Sequence, residues 1–271
     1  MSTSRAIVLA RGLGTRMRAP DLSAHLSEDQ RRAADAGSKA MLPVGGRPFL
    51  DYVLSAIADA GIHHVGLIVA PDHQTLARYY RAEAPPTRLD LDFIVQPDAL
   101  GTADAVLAAE QWIAGVPFLA MNADNVYPAG VLSALAALDE PGLPIFERGD
   151  LVRSSNIPEA RVWSFALLDV DDQGYLRGIV EKPSPPVAEG STERMLVSMN
   201  CWRFDRQMFE SCRDVNRSSR GEFELPAAVA LAIARGARFK GLPACGPVLD
   251  LSTRADAAEV TRRLEGVIPR P

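Results

Sequence analysis

Cysteine is rare in this sequence, and long apolar runs are absent. Cys201, Cys212 and Cys245 are an odd number and form no C-x-x-C pair, which predicts reduced thiols rather than a disulfide framework. No apolar run approaches the roughly 18 residues that cross a bilayer, and the amino-terminal apolar stretch is too short for a signal peptide. We therefore expect a cytoplasmic protein with no membrane partner.

Histidine is equally rare, and positive charge is not in excess. The four histidines, His25, His63, His64 and His73, form no H-E-x-x-H pattern and lie away from the cysteines, which disfavours a His/Cys metal site. Lysine and arginine total 29 against 34 acidic residues, a net charge of −5. An acidic chain is a poor general ligand for nucleic acid, so a phosphate site would need a local basic cluster.

The sequence does contain a regular alternation of strand and helix patterns over its 271 residues. Apolar runs predict strands at 6–10, 65–70, 91–95 and 118–121. Helices are predicted at 49–60, where apolar residues repeat at helical spacing, at 22–36, which is polar and alanine-rich, and at 74–82 and 101–113. This alternation predicts an α/β fold with a mainly parallel sheet and right-handed crossovers. After about residue 141, strands are predicted at 162–170, 176–180 and 196–204, and helices at 205–212, 223–234 and 254–264.

A glycine-rich segment, LARGLGTRM (9–17), follows the first predicted strand. Gly12 and Gly14 would let backbone N–H groups face an anion, and Arg16 would add donors suited to phosphate oxygens. The dinucleotide fingerprint G-x-G-x-x-G fails because Met17 stands at its third glycine, and the chain has no G-x-x-x-x-G-K-[ST] loop. The segment alone is equally compatible with an ordinary tight turn.

Lys39 opens a second motif, SKAMLPVGGRPFLDYVL (38–54). A lone lysine before an apolar turn is usually solvated. This one lies between the glycine loop and a strongly amphipathic helix, so its side chain can return to a phosphate bound at the loop.

Together these two motifs resemble those of the sugar-1-phosphate nucleotidylyltransferases, or NDP-sugar pyrophosphorylases, which carry G-x-G-T-R-[LM] and P-K-x-[ML]-x-P-[VI]. The resemblance covers roughly residues 7–256. It implies a three-layer, Rossmann-like (glycosyltransferase-A-like) α/β fold: a mainly parallel mixed sheet with helices on both faces. We expect one domain over residues 1–271, with a nucleotide-binding half over about 1–140 and a sugar-binding half over about 141–250.

The segment QPDALGTADAV (96–106) matches the family's Q-x-x-x-L-G-T-x-x-A motif. The resemblance implies that Gln96 and the backbone at Gly101 read the nucleobase, and a glutamine here favours thymine or uracil. The alternative is a plain helix start with Thr102 as its N-cap.

Two aspartates match the family's metal ligands. Asp124 lies in MNADNVYP and Asp250 in VLDLSTRADAAEV, and the resemblance implies that both bind Mg²⁺. Ala123 and Ser252 stand where the family has glycine, and Asn122 carries a polar side chain that could reach the nucleoside. Without the other motifs, Asp124 would be interpreted as part of an Asx turn.

Two further motifs match the sugar side of the family's site. In GIVEKP the resemblance implies that Glu181 binds sugar hydroxyls and Lys182 binds the sugar phosphate. In VSMNCWRF, Asn200 stands at the usual glycine position. It is either an inward polar residue of an edge strand or an added sugar contact, in which case the substrate need not be glucose 1-phosphate.

The resemblance implies nucleotidyl transfer: a sugar 1-phosphate oxygen attacks the α-phosphorus of a nucleoside triphosphate, dTTP or UTP being favoured, and pyrophosphate leaves. The expected catalytic residues are Arg16, Lys39, Asp124, Lys182 and Asp250. The expected nucleotide-binding residues are Leu9, Ala10, Arg11, Gly12, Gly14, Thr15, Gln96, Gly101, Thr102 and Asn122. The expected sugar-binding residues are Glu181, Lys182 and Asn200.

Several alternatives stay open on sequence alone. The chain also resembles guanylyltransferases of mannose or heptose 1-phosphate, and an inactive nucleotide-sugar sensor or an enzyme of a non-sugar phosphate would share its motifs. A homo-oligomer is possible. The residues between Arg16 and Lys39 exceed what small family members carry, so about 19–37 are a helical insertion. It is either a surface decoration or a lid that carries Lys39 onto the triphosphate.

Overall fold

The computed structural model describes residues 3–21, 24–181 and 195–271, and strands within these ranges form a ten-stranded mixed sheet. In chain order the strands are β1 (Arg5–Leu9), β2 (His64–Val69), β3 (Asp90–Val95), β4 (Phe118–Asn122), β5 (Gly142–Glu147), β6 (Ala166–Val170), β7 (Leu176–Val180), β8 (Leu196–Ser198), β9 (Trp202–Phe204) and β10 (Lys240–Ala244). They lie in the order β7-β6-β8-β5-β9-β4-β1-β2-β3, with β10 beside β5.

The first half of the sheet is parallel, as the alternation of strands and helices predicts. Strand β1 pairs in parallel with β2 on one side and β4 on the other, and β2 pairs in parallel with β3. The carboxyl ends of these four strands therefore meet at one edge, which is where open α/β sheets bind ligands.

The second half adds mostly antiparallel strands: β9 pairs with β4, β8 with β5 and β6, and β7 with β6. The sequence predicts one strand over 196–204, but the structure divides it. Asn200 has a φ of 57°, in the left-handed region that asparagine enters more readily than most side chains, and it separates β8 from β9. The predicted strand 162–170 begins only at Ala166, because Glu159–Ser164 form a 3₁₀ turn after Pro158.

Helices cover both faces of the sheet, which confirms the expected layered α/β fold. In chain order they are α1 (Thr15–Arg18), α2 (Glu28–Asp35), α3 (Phe49–Asp59), α4 (Gln74–Arg78), α5 (Thr102–Ala108), α6 (Glu110–Ile113), α7 (Ala129–Ala136), α8 (Arg148–Ser154), α9 (Met208–Asp214), α10 (Leu225–Ala234) and α11 (Arg254–Arg263). A π-helical turn, Tyr79–Glu83, extends α4. No helix among the described residues is both long and apolar enough to span a bilayer.

The core consists of two apolar clusters, and alternate residues of β1 contribute side chains to each of them. Ala6 and Val8 pack into the cluster beneath α3 and α7, whereas Ile7 packs into the cluster beneath α5, α9 and α10. All three side chains are fully buried, and burying each large aliphatic side chain contributes about 1.5–3 kcal/mol. The glycine loop is thereby anchored on a strand that is buried on both faces.

The insertion contains a shorter helix than the sequence predicts. Instead of 22–36, helix α2 covers Glu28–Asp35, because Ser27 and Gln30 form a capping box that fixes its start. Gln30 also donates from Nε2 to the Pro43 carbonyl, 2.9 Å away. Leu22 and Ser23 lie outside the described residues.

Arg254 fastens the insertion to the rest of the molecule. Its guanidinium donates to the carbonyls of Met17 (2.9 Å) and Arg18 (3.1 Å), in the helix that follows the glycine loop, and to Asp35 (2.6 Å) at the end of α2. Arg254 is the first residue of α11, so the carboxyl-terminal helix, the insertion and the glycine loop are held as one unit.

Candidate active site

A cavity of about 660 Å³ lies at the carboxyl edge of the parallel strands. Its walls are the glycine loop after β1, the 36–41 segment, the loop after β2, and the 96–105 segment that leads into α5. The expected nucleotide-binding residues among its lining are Leu9, Ala10, Arg11, Gly12, Gln96, Gly101, Thr102 and Asn122. The volume is that of a typical small-molecule site.

The two glycines of the loop have different structural roles. Gly14 has a φ of 63°, and a Cβ there would lie 2.4 Å from the carbonyl oxygen of Gly37, so only glycine lets the loop pack against the end of the insertion. A Cβ on Gly12 would meet no atom within 4 Å. Gly12 and Thr15 are exposed, which leaves this part of the backbone open to a ligand.

The two arginines of the loop point to different places. Arg11 donates from Nε to the Gln96 carbonyl and from Nη2 to the Pro97 carbonyl, each at 3.1 Å, so it ties the glycine loop to the 96–105 segment. Arg16 is exposed and lines a second, smaller cavity together with Asp124 and Asp250.

Lys39 reaches the site as the sequence suggests, and there it meets a carboxylate. A 3₁₀ turn over Lys39–Met41 directs the side chain inward, and its Nζ lies 2.9 Å from Oδ2 of Asp124. The side chains are 17% and 25% exposed. The ammonium is therefore held beside the aspartate at the end of β4, where it can exchange that partner for a phosphate oxygen.

Asp250 is brought beside Asp124 by backbone pairing. The two-residue strand Leu249–Asp250 pairs antiparallel with Asn125–Val126, and the Leu251 N–H donates to the Asp124 carbonyl at 2.9 Å. Sequence alone could not place these carboxylates together, and here they lie on neighbouring backbone segments.

The environment of Asp250 opposes its negative charge. The residue is 2% exposed, and burial together with the nearby charge of Asp124 raises the pKa of its carboxyl group. Arg161 donates from Nη1 to Oδ1 of Asp250 at 2.9 Å, and Asn125 donates to Oδ2 at 3.2 Å. Arg161 also binds Asp256 at 2.7 Å.

The two carboxylates fit a divalent cation. Carboxylate oxygens are the ligands that Mg²⁺ prefers, and both side chains line the smaller cavity. Burial and then the charge of Asp124 raise the pKa of the Asp250 carboxyl group, and a cation between the two carboxylates would offset both effects. No group of three or more His, Cys, Asp or Glu side chains arranged for a metal occurs within the described ranges, so phosphate and water oxygens would complete the coordination.

The smaller cavity, of about 230 Å³, adjoins the two aspartates on the side of the second half of the sheet. Glu181, Asn200 and Arg220 contribute to its walls. Lys182, expected to bind the sugar phosphate, lies outside the described residues.

Asn200 is fixed by both ends of its amide. Its Nδ2 donates to Oδ1 of Asn122 at 2.9 Å, and its Oδ1 accepts from the Trp202 indole at 2.8 Å. The side chain therefore connects the end of β4 to the start of β9, and the residue lines the smaller cavity.

Thr102 has a different capping role from the one considered on sequence. Gly101 occupies the N-cap of α5, whereas the Thr102 hydroxyl accepts from the Leu225 N–H at 2.8 Å, at the first residue of α10. A Cβ on Gly101 would lie 2.5 Å from the Phe223 carbonyl oxygen, so glycine is required where these two segments meet.

Sequence reasoning missed Arg161, Asn125 and Asp104, which contact the expected site residues. Arg161 is 89 residues from Asp250 along the chain and follows no recognisable pattern. Asp104 gave a local signal, because it stands in the first turn of a predicted helix, eight residues after Gln96.

Comparison with known proteins agrees with this geometry. Residues 5–245 match the model of a family described as "Nucleotidyl transferase". The glucose-1-phosphate thymidylyltransferase of Streptomyces antibioticus is 31% identical over 98% of this chain and 68% of its own. The UTP–glucose-1-phosphate uridylyltransferase AglF of Haloferax volcanii is 26% identical over 96% of both chains. A crystal structure of UDP-glucose pyrophosphorylase complexed with UDP-glucose superposes with a TM-score of 0.76 at 17% identity, covering 97% of this chain and 98% of that one.

Proposed function

Because the chain belongs to the nucleotidyl transferase family, as a sugar-1-phosphate nucleotidylyltransferase, we propose that it transfers a uridylyl or thymidylyl group from UTP or dTTP to a sugar 1-phosphate. The observation that carries this proposal is the contact of Lys39 with Asp124 beside the buried Asp250. A lysine, two carboxylates and an open glycine loop at one sheet edge supply the charges that phosphate chemistry requires. An inactive sensor would have no need to keep all of them.

The reaction is an in-line displacement. An oxygen of the sugar 1-phosphate forms a bond to the α-phosphorus, the bond from that phosphorus to the bridging oxygen breaks, and pyrophosphate leaves. Catalysis of such a step is mostly positioning and charge neutralisation. In this proposal the backbone N–H groups of residues 12–15 and Arg16 bind the β- and γ-phosphates.

Lys39 is the group that changes partner in this proposal. In the free site its ammonium is paired with Asp124, and in the complex it would pair with the transferring and leaving oxygens. Mg²⁺ held by Asp124 and Asp250 would supply neutralisation of charge at the α-phosphate. Losing one such stabilising group typically costs on the order of 10²–10³ in rate.

The sugar subsite is assigned to the smaller cavity. Glu181 lies at its wall with Asn200, and Lys182, the next residue, is proposed to bind the phosphate of the attacking substrate. The fixed amide of Asn200 supports recognition of a sugar hydroxyl or substituent. The thymidylyltransferase and uridylyltransferase among the relatives support a glucose-type 1-phosphate and a pyrimidine base.

We propose a cytoplasmic location because of the state of the three cysteines. All three are free thiols, with Cys201 and Cys212 buried and Cys245 exposed, which suits a reducing compartment. A homo-oligomer is still a prediction, which light scattering of the purified chain would check.

The test is a pyrophosphate-release assay. Each of UTP, dTTP, GTP, CTP and ATP is combined with a panel of sugar 1-phosphates, including those of glucose, mannose and N-acetylglucosamine, with Mg²⁺ present. We expect release with UTP or dTTP. Release only with GTP and a mannose or heptose phosphate would replace the proposal by a guanylyltransferase, and nucleotide binding without release in any pair would favour a sensor.

Asp250→Asn tests the assignment of the charged residues. The amide keeps the shape of the side chain but loses a charge, so we expect turnover to fall at least a hundredfold. Asp172→Asn is the matched control, because Asp172 is exposed in the hairpin between β6 and β7. Full activity of Asp250→Asn would exclude the assignment.

A further inference from the structure

Gln96 is held in one orientation by two acceptors. Its Nε2 lies 2.6 Å from Oδ2 of Asp104 and 3.1 Å from the Gly101 carbonyl oxygen. An amide NH₂ has two hydrogens to donate, and an amide oxygen has none. Since both neighbours accept, the nitrogen must face them, and both of its hydrogens are used.

The oxygen of the same amide remains for a ligand. Gln96 is 2% exposed and borders the larger cavity, and its Oε1 accepts no hydrogen bond from the residues that the structure describes. It is not among the fully buried atoms without a partner, so it faces the cavity. A nearly buried acceptor that opens only toward a cavity calls for a donor on the bound molecule.

The residues around Gln96 restrict rotation of its side-chain amide. The Gln96 backbone N–H donates to the Val69 carbonyl at 2.9 Å, and its carbonyl accepts from Arg11. Asp104 lies in the first turn of α5, where the helix dipole stabilises a carboxylate. The Gly101 carbonyl is fixed because its backbone packs directly against Phe223.

We propose that Asp104 is a positioning residue for base selection: it fixes the Gln96 amide with its oxygen toward the nucleobase. This inference rests on the proposed function and on the role that the family resemblance implies for Gln96, which is to read the nucleobase. Uracil and thymine carry a hydrogen on N3 and guanine carries one on N1, whereas cytosine and adenine have a lone pair at the corresponding ring nitrogen. An immobile carbonyl oxygen accepts from the first group and repels the second, so the site selects UTP, dTTP or GTP against CTP and ATP.

Replacing Asp104 should reduce the discrimination between nucleotides, and it should not lower the affinity for every nucleotide by the same factor. In Asp104→Ala the Gln96 amide loses its stronger acceptor and can rotate, so that Nε2 can donate to the ring nitrogen of cytosine. We expect the ratio of the Kd for CTP to the Kd for UTP to fall about tenfold, the effect of one hydrogen bond in a buried site. Asp104→Asn retains an acceptor oxygen at the same distance and should keep most of the ratio.

The experiment is isothermal titration of the full chain with each nucleotide, in the wild type and in both variants. Asp98→Ala is the matched control, since Asp98 is an exposed carboxylate on the same segment that does not line the cavity. If Asp104→Ala does not fold, judged by thermal melting, Asp104→Ser serves in its place, because serine is well accepted in the first turn of a helix.

The outcomes separate this inference from the proposed function. An unchanged ratio in Asp104→Ala, with every Kd raised by the same factor, would mean a purely structural role and would overturn the inference. Equal binding of CTP and UTP by the wild type would overturn it as well. Selective binding that depends on Asp104, without pyrophosphate release for any sugar phosphate, would support the inference and contradict the proposed function.

Discussion

Arg161 forms ion pairs with two buried carboxylates. Its Nη1 binds Asp250 at 2.9 Å and its Nη2 binds Asp256 at 2.7 Å. Those two aspartates are only 2% and 5% exposed. Asp256 retains three further donors, from Ser252 and Thr253. The Asp250 carboxylate retains the Asn125 amide and a hydrogen bond from the Ser252 side chain, and its backbone retains the Asn156 contact. Removing Arg161 should therefore destabilise the buried charge of Asp250 more than that of Asp256.

We expect Arg161→Met to lower the free energy of unfolding by about 3 kcal/mol, the low end for breaking a buried ion pair by removing one partner. At roughly 2 °C per kcal/mol for a chain of this length, the melting temperature should fall by about 6 °C. The control is Arg177→Met. Arg177 pairs with Asp169 on the surface, with both side chains about 60% exposed, and its replacement should shift the melting temperature far less.

The same variant reports on the cation site. With Arg161 absent, Lys39 still pairs with Asp124, but Asp250 loses the arginine that neutralises it. Added Mg²⁺ should therefore recover part of the lost melting temperature in Arg161→Met and have a smaller effect on the wild type. Differential scanning calorimetry with and without about 10 mM Mg²⁺ measures both effects, because a cation that binds only the folded state raises the melting temperature. Equal melting temperatures for the two arginine variants would refute the reasoning about burial, and no Mg²⁺-dependent recovery would refute the carboxylate pair as the cation site.

Further predictions concern Asn200, Arg254 and the cysteines. Asn200→Gly keeps the left-handed backbone but removes the amide, so it should change the order of preference among sugar 1-phosphates by about tenfold while leaving the KM for the nucleotide within twofold, as steady-state kinetics would measure. Arg254→Met frees the insertion from the glycine loop and should raise the KM for the nucleotide about tenfold; unchanged kinetics would indicate that the insertion is a passive surface element. Burial raises the pKa of Cys212 to about 12 and raises that of Cys201 further, so iodoacetamide at pH 8 should label Cys245 alone by mass spectrometry. Since the unfolded thiols ionise near pH 8.5 and the buried ones do not, stability should fall as the pH rises above about 9.

The parts of the fold that sequence could predict are those set by local periodicity. Strand β1 and helix α3 lie within a residue of their predicted bounds, because continuous apolar runs and a stripe of apolar residues at helical spacing depend only on neighbours in the chain. The interruption between β8 and β9 at Asn200 was harder to predict from the sequence. An apolar pattern runs through 196–204 and predicts one strand, and Asn200 was interpreted as an inward polar residue or a sugar contact. Its left-handed backbone, with a φ of 57°, was not predicted.

The candidate site likewise contains parts that the sequence could predict and parts that it could not. The glycine loop and Lys39 are local motifs whose order along the chain already suggested a phosphate site. The approach of Asp250 to Asp124 was implied by resemblance alone, and it depends on a two-residue strand pair too short to carry a sequence pattern. Arg161 had neither a motif nor a neighbour to indicate it, since its contacts depend wholly on tertiary folding.

The negative charge of the site explains why Lys39 forms an ion pair with Asp124. In a chain of net charge −5, the free cavity contains Asp124 and Asp250 close together, and Lys39 and Arg161 each neutralise one of them. In the proposed function, a triphosphate without a cation would draw Lys39 away and leave Asp124 uncompensated beside the phosphate oxygens. Asp124 and Asp250 would hold Mg²⁺, which would neutralise the carboxylates and release Lys39 to the phosphates. We therefore expect the Lys39–Asp124 pair to favour the metal–nucleotide complex over the bare nucleotide.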